Sequence, residues 1–183
     1  IAKRGAKLLI TIDCGITDTE EVVYANELGI EVIITDHHLP SEDGMPPAFA
    51  ILNPKQSDCT YPEKMLCGSG VVFKLVQALL LRAPHFLKTT TYKPPPTNWS
   101  KWLLDMVGIA TLSDMVPLTG ENRVFAYYGL KVLRRSPRAG LEQLYRVTSD
   151  LQNASRLGGT SHTYNLVATG TASDGTPQAC GSG

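Results

Sequence analysis

Acidic and imidazole side chains follow two short apolar runs near the start of the chain. Asp13 comes directly after the first run, and Asp36, His37 and His38 follow the second. Farther along, Asp114 lies where a helical pattern breaks before a proline. Carboxylates favour magnesium or manganese, and imidazole shifts the preference towards manganese, iron or zinc. We therefore treat Asp13, His37 and Asp114 as candidate ligands of a divalent metal site.

Two such ions a few Å apart would bind a phosphate, activate a water and stabilise the leaving oxygen, which suffices to hydrolyse a phosphoester. Each residue also has a simpler explanation. An Asp before a glycine, as at Asp13, is more often a turn former than a ligand, and Asp114 could cap a turn before Pro117. Adjacent residues of a strand point to opposite sides, so at most one of His37 and His38 is expected to join Asp13. The residues alone leave the metal-site and structural interpretations open.

The elements that would position these side chains form a compact pattern. Residues 7–12 and 31–35 are apolar, β-branched runs typical of buried strands. Between them, a capping box at 17–20 and Gly29 predict the two ends of a helix. Strand, helix and strand over this length indicate a right-handed parallel βαβ unit. Ligands of such sheets bind beyond the carboxyl ends of the strands, where Asp13 and the residues at 36–38 would meet.

The α/β pattern continues along the chain, which predicts a parallel sheet of βαβ units flanked by helices and followed by a helical segment. The spacing places Trp102, Met106, Tyr127 and Tyr128 on buried helix faces. Prolines in 82–98 predict a surface excursion that is neither helix nor central strand. The further elements are a strand over 48–52 and helices over 69–81, 99–112, 122–135 and 141–147.

Composition sets broad limits on the function. The 183 residues, 43% of them hydrophobic, suit one folded unit, and 17 basic residues balance 17 acidic ones. The net charge therefore does not indicate a nucleic-acid partner. The four cysteines lack zinc-finger or disulfide-scaffold spacing, which favours a reducing, cytoplasmic compartment. No apolar run approaches the roughly 20 residues of a membrane span, so no membrane partner is expected, and a monomer is favoured.

Several segments together resemble the signature motifs of the DHH phosphoesterase family, in the form found in RecJ-type single-strand DNA exonucleases. Residues 12–15 (Ile-Asp-Cys-Gly) and 35–40 (Thr-Asp-His-His-Leu-Pro) are similar to the second and third motifs. Residues 108–118, which include Ser-Asp-Met-Val-Pro-Leu, are similar to the fourth. The resemblance covers roughly residues 5 to 147 and is specific in combination. Its further segments are 52–55, 61–62, 68–74 and 120–123.

The resemblance implies roles for individual residues, with manganese or magnesium as the ion. Asp13, His37 and Asp114 would be metal ligands, His38 would contact the scissile phosphate, and Asp36 would orient a neighbouring histidine. Gly68, Ser69 and Gly70 could present backbone N–H groups to an anion at the start of a helix, or could only permit close packing. These three residues and Arg123 are the candidate substrate contacts.

The resemblance also implies a substrate and a domain organisation. Residues 1–147 would be a partial DHH domain without the family's first motif, an Asp-x-Asp pair on an earlier strand. Residues 148–183 are rich in Ser, Thr and Gly and are expected to be poorly ordered or foreign to the fold. The expected activity is 5′ to 3′ hydrolysis of single-stranded DNA in repair and recombination, with the chain by itself inactive. The alternatives are a DHH phosphodiesterase or pyrophosphatase acting on small nucleotides, and a non-catalytic replication scaffold.

Overall fold

A computed structural model describes residues 1–87, 91, 93–135 and 138–156. The strands are β1 (Leu8–Ile12), β2 (Glu31–Thr35) and β3 (Ala50–Leu52). The helices are α1 (Thr19–Glu27), α2 (Gly68–Phe86), α3 (Leu104–Ser113), α4 (Gly120–Leu133) and α5 (Ala139–Arg156), with a 3-10 helix at Thr97–Leu103 before α3. Within the described part of the chain, no helix combines the length and apolar character needed to cross a membrane.

The three strands form a parallel sheet in the order β1-β2-β3. Connecting the parallel strands β1 and β2 requires a crossover, and α1 supplies it. The buried side chains of β2 pack with those of α1 in one apolar cluster. Strand β1 is less buried than predicted, because Leu8, Ile10 and Ile12 are 48%, 46% and 53% exposed. The predicted α/β class, with a parallel βαβ unit and flanking helices, is confirmed.

A second apolar cluster joins α2, α3 and α4 around Val71, Val107 and Phe125. Helices α3 and α4 approach closely because glycines face each other where they cross. A Cβ atom added to Gly129 would lie 2.6 Å from the Cα atom of Gly108. This contact joins α4 to α3, whose carboxyl end carries Asp114.

The predicted burial of several aromatic residues is wrong. Tyr127 and Tyr128 are 55% and 50% exposed, and Trp102 and Met106 are also largely exposed. The buried stripe of α4 instead consists of Asn122, Phe125, Ala126 and Gly129, which have helical spacing. The crossing with α3 selects the face that carries Ala126 and Gly129, and Tyr127 and Tyr128 are left outside.

The ends of several elements differ from the predictions. Helix α2 continues to Phe86 and contains Pro84 in its last turn. The proline removes only one hydrogen bond of the helix, and the backbone N–H of Leu87 still donates to Ala83 O at 2.9 Å. Helix α1 begins after Asp18 without a side-chain capping bond, so the predicted capping box does not form, whereas Gly29 has the expected left-handed backbone. Helix α5 runs beyond the predicted 141–147, and the rest of the predicted tail, 157–183, lies outside the described residues.

Candidate metal centre

The register of the sheet brings the ends of the three strands to one edge. Ile12 pairs with Thr35, so β1 and β2 end at the same level. The backbone N–H of Asp13 donates to Thr35 O at 2.9 Å, and that of Asp36 donates to Leu52 O at 3.0 Å. Backbone bonds therefore fix the positions of Asp13 and Asp36 relative to each other, as the βαβ pattern predicted.

His37 lies between two carboxylates that come from distant parts of the sequence. Its Nε2 atom is 3.1 Å from Asp13 Oδ1 and 3.5 Å from Asp114 Oδ2. The His37 side chain is buried, and these two contacts are short enough for ion pairs but lack the geometry of a hydrogen bond. A buried nitrogen without a hydrogen bond, facing two carboxylate oxygens, is an arrangement that a divalent cation would satisfy. The donor set, one imidazole and two carboxylates, fits manganese.

Two non-glycine residues at this cluster have left-handed backbone, with φ of 64° at Asp13 and 55° at Met115. Such conformations are uncommon and persist where surrounding contacts hold them. Asp114, next to Met115, caps the carboxyl end of α3. Because that end of a helix carries partial negative charge, a carboxylate there is unfavourable unless a cation compensates it. The strained turns and the placement of Asp114 are both consistent with metal binding.

Asp36 is 1% exposed and organises the loop after β2. Its Oδ1 accepts hydrogen bonds from the backbone N–H groups of His37 and His38 at 2.7 and 3.2 Å, and its Oδ2 accepts one from Ile16 at 3.0 Å. Burial raises the pKa of Asp36, but the hydrogen bonds from Ile16, from the His38 ring and from the two backbone amides outweigh it and hold the pKa below its ordinary value. Asp36 is therefore an ionised anchor between the two loops of the site.

His38 lies on the same side as His37, which corrects the expectation that they point apart. The two ring centroids are 4.4 Å apart, and ligand atoms of Asp13, His37 and His38 all lie within 4.8 Å of one another. The alternation of a strand does not apply because β2 has already ended and Asp36 holds a turn. Asp36 Oδ1 is 2.7 Å from His38 Nδ1 and can accept a hydrogen bond from it, which leaves Nε2 as the ring nitrogen that faces the site.

Asn53 lies directly after β3, within residues 52–55 of the resemblance, and is not among the predicted site residues. Its side chain is buried and its Nδ2 donates to the backbone oxygen of His38 at 2.8 Å. Its Oδ1 accepts from the backbone N–H of Lys55 at 2.8 Å. Asn53 therefore ties the His38 loop to the third strand. The available signal was its position at a strand end, the same feature that singled out Asp13 and Asp36.

The amino end of α2 packs directly against Asp13. A Cβ atom at Gly68 would lie 2.6 Å from Asp13 Cγ and 2.7 Å from Asp13 Cβ, so only glycine fits there. A small cavity of about 150 Å³ is lined by Asp13, Asp114, Gly68 and Ser69, among others. The first N–H groups of a helix have no partner within the helix and can bind an anion. Both interpretations of the glycine-rich turn, close packing and anion binding, are compatible with this geometry.

Arg123 is not joined to the cluster. It is exposed on the first turn of α4, and the ion pairs of the described residues at the cluster join His37 to Asp13 and Asp114 without Arg123. A larger, open cavity of about 660 Å³ beside Gln56 and Tyr61 is lined by none of the predicted site residues. The chemistry of the described residues is therefore concentrated at the edge of the sheet.

Comparison with curated proteins finds similar sequences among single-strand DNA exonucleases. The chain is 45% identical over 148 residues to the single-stranded-DNA-specific exonuclease RecJ of Bacillus subtilis, covering 81% of this chain and 17% of that protein. It is 42% identical over 149 residues to RecJ of Escherichia coli, covering 80% of this chain and 25% of that protein. The chain thus spans a quarter or less of the length of these relatives.

Solved structures agree in fold. A crystal structure of exonuclease RecJ bound to manganese matches with a TM-score of 0.62 and 32% identity over 79% of this chain and 34% of that one. RecJ of Thermus thermophilus in complex with Mn²⁺ matches with a TM-score of 0.63 and 34% identity, over 79% of this chain and 20% of that one. The profile of the DHH family, N-terminal domain, matches residues 1–111, more than half of the sequence. The chain belongs to the DHH family.

Proposed function

We propose that this chain is the metal-binding core of a phosphoesterase that hydrolyses single-stranded DNA from its 5′ end. The carrying observation is the buried Nε2 atom of His37, which faces Asp13 and Asp114 and has no hydrogen-bond partner among the described residues. The proposed substrate is inferred from the similarity to RecJ proteins, five of which are 40 to 45% identical to this chain. A role in DNA repair and recombination, the cytoplasmic location and the monomeric state stay predictions.

Asp13, His37 and Asp114 would hold manganese or magnesium. The bound metal would polarise the phosphate and lower the pKa of a water molecule that attacks phosphorus. Manganese is the ion of the two similar solved structures. The residues around the cluster already fix the ligands: the backbone of Asp13 is bonded to β2, and that of His37 to the Asp36 carboxylate.

His38 and the amino end of α2 would bind the phosphate. With the proton on Nδ1, His38 donates a hydrogen bond to the Asp36 carboxylate, so the ring is oriented and its Nε2 is available on the exposed side. With a proton on both ring nitrogens, His38 would donate a hydrogen bond from Nε2 to a phosphate oxygen. The backbone N–H groups at Gly68, Ser69 and Gly70 would add partial positive charge beside the carboxylates. Arg123 stays a predicted substrate contact.

The proposal is tested by nuclease assays on the chain extended upstream to include an Asp-x-Asp strand, which we call the extended chain. We expect Mn²⁺-dependent release of nucleotides from single-stranded DNA labelled at the 5′ end, and no release when Asp13→Ala is introduced. A matched 3′-labelled strand establishes the direction of degradation.

Two results would contradict the proposed substrate. Turnover of dinucleotides or pyrophosphate without degradation of longer strands would assign the site to small nucleotides. Inactivity of the extended chain on all of these substrates, with its fold intact by circular dichroism, would favour a non-catalytic scaffold.

A further inference from the structure

Asn122, in the first turn of α4, connects the two segments that lead to the candidate metal centre. It is fully buried, at 0% exposure. Its Nδ2 donates to the backbone oxygen of Met65 at 2.7 Å and to that of Pro117 at 3.1 Å. Met65 lies three residues before Gly68, and Pro117 lies three residues after Asp114. One amide group therefore joins the approach to α2 with the loop that follows α3.

We propose that Asn122 is a positioning residue, which sets the affinity of the metal centre by holding Asp114 at a fixed distance from Asp13. The proposal rests on the proposed metal site. Gly68 packs against Asp13, so the amino end of α2 determines where that carboxylate lies. Pro117 belongs to the short loop that keeps Asp114 at the end of α3. Fixing Met65 to Pro117 consequently fixes one carboxylate relative to the other.

The neighbouring residues stabilise the same junction. The Tyr61 hydroxyl and the Lys74 ammonium both contact the carboxylate of Glu121, the residue before Asn122. Gly120 has left-handed backbone, with φ of 47°. The turn into α4 is therefore built to place Asn122 between the two segments.

The chemistry of the site requires an asparagine. A primary amide supplies two N–H donors, one for each carbonyl, whereas a serine supplies one and an ionised aspartate none. The Oδ1 atom of Asn122 is buried without a hydrogen bond to any described residue. A buried polar atom without a partner is destabilising, so an apolar residue would satisfy the core better if packing were the only requirement. The two hydrogen bonds that the amide donates explain why a polar residue occupies this buried position.

A purely structural role and a positioning role predict different results for Asn122→Ala. Under either role, Asn122→Ala lowers the unfolding temperature without metal, because two buried carbonyl groups lose their hydrogen-bond donor. Only positioning also weakens Mn²⁺ binding. A matched control is Asn26→Ala, because Asn26 Nδ2 donates to the backbone oxygen of Pro47 at 2.8 Å, in a contact between α1 and the segment before β3.

The experiment measures the Mn²⁺ affinity of the chain by electron paramagnetic resonance and its unfolding temperature with and without Mn²⁺. We expect Asn122→Ala to bind Mn²⁺ about tenfold more weakly, as changes outside the ligand set commonly do, and to lose part of the Mn²⁺-dependent rise in unfolding temperature. Asn26→Ala should retain both. Unchanged Mn²⁺ affinity in a folded Asn122→Ala variant would overturn the proposal and leave the metal centre standing.

Two further measurements complete the test. If the wild-type protein does not bind Mn²⁺, or if Asp13→Ala does not abolish the binding, the proposed function itself is contradicted. If Asn122→Ala does not fold, hydrogen exchange of the wild-type chain decides: Mn²⁺ should slow exchange in residues 63–66 together with residues 113–119. Unchanged exchange in 63–66 on Mn²⁺ binding would overturn the positioning role.

Discussion

The contact between Gly68 and Asp13 makes the metal centre sensitive to a single methyl group on α2. In Gly68→Ala, the added carbon would lie 2.7 Å from Asp13 Cβ and 2.6 Å from Asp13 Cγ. Two carbons make ordinary contact at about 3.5 Å, so the atoms are about 0.8 Å too close. Rotation of the Asp13 side chain cannot relieve the clash, because it leaves Cβ in place. Helix α2 or the end of β1 must move.

A shift of this size exceeds the roughly 0.2 Å within which metal–ligand distances are held. We therefore expect Gly68→Ala to weaken Mn²⁺ binding by at least about tenfold, comparable to the loss of a residue that orients a ligand. Overpacking should also lower the free energy of unfolding by about 1–3 kcal/mol. Mn²⁺ titration and chemical unfolding of the same samples measure the two effects.

Gly140→Ala is the matched control. Gly140 lies in α5, and an added Cβ atom would meet nothing within 4 Å. Alanine is favoured over glycine in a helix, so this variant should be up to about 1 kcal/mol more stable and should bind Mn²⁺ as the wild type does. If Gly68→Ala bound Mn²⁺ with wild-type affinity, the assignment of Asp13 as a ligand beside α2 would be refuted.

Three further variants test other contacts. Asp36→Asn should destabilise the chain by roughly 1–3 kcal/mol at pH 7. Because folding lowers the pKa of Asp36, the ionised carboxylate stabilises the fold above its ordinary pKa of 3.8. In urea unfolding, the difference in unfolding free energy between wild type and variant should therefore shrink as the pH falls below that value. Gly129→Ala, whose Cβ atom would meet the backbone of Gly108, should lower stability by about 1–3 kcal/mol, and an unchanged Tm would contradict the close helix crossing. His37→Ala should weaken Mn²⁺ binding at least about tenfold in isothermal calorimetry, whereas wild-type affinity would exclude His37 as a ligand.

The part of the fold that holds the site was predictable because it depends on local sequence. Two apolar runs separated by one helix allow a single handedness of connection, and their ends must then meet at one edge of a parallel sheet. Asp13 and Asp36 lie at that edge for this reason. The ligand roles of Asp13, His37 and Asp114 stay predictions until metal binding is measured.

Other features depend on tertiary contacts that periodicity does not describe. The spacing of α4 fits two apolar faces, and the contact of Gly129 with Gly108 decides that Tyr127 and Tyr128 remain exposed. The two histidines lie on one side because Asp36 accepts both of their backbone N–H groups, a bond pattern that exists only in the folded loop. Asn122 acquires its two acceptors from residues 57 and 5 positions away, so local sequence does not predict these contacts.

We propose that Asp13, His37 and Asp114 form a divalent metal site at the edge of the sheet. It is tested most directly by titrating Mn²⁺ into the chain, into Asp13→Ala, and into Glu27→Ala, which removes an exposed carboxylate from the last residue of α1. We expect Asp13→Ala to abolish a binding event that Glu27→Ala leaves intact. Equal Mn²⁺ binding by all three proteins would contradict it.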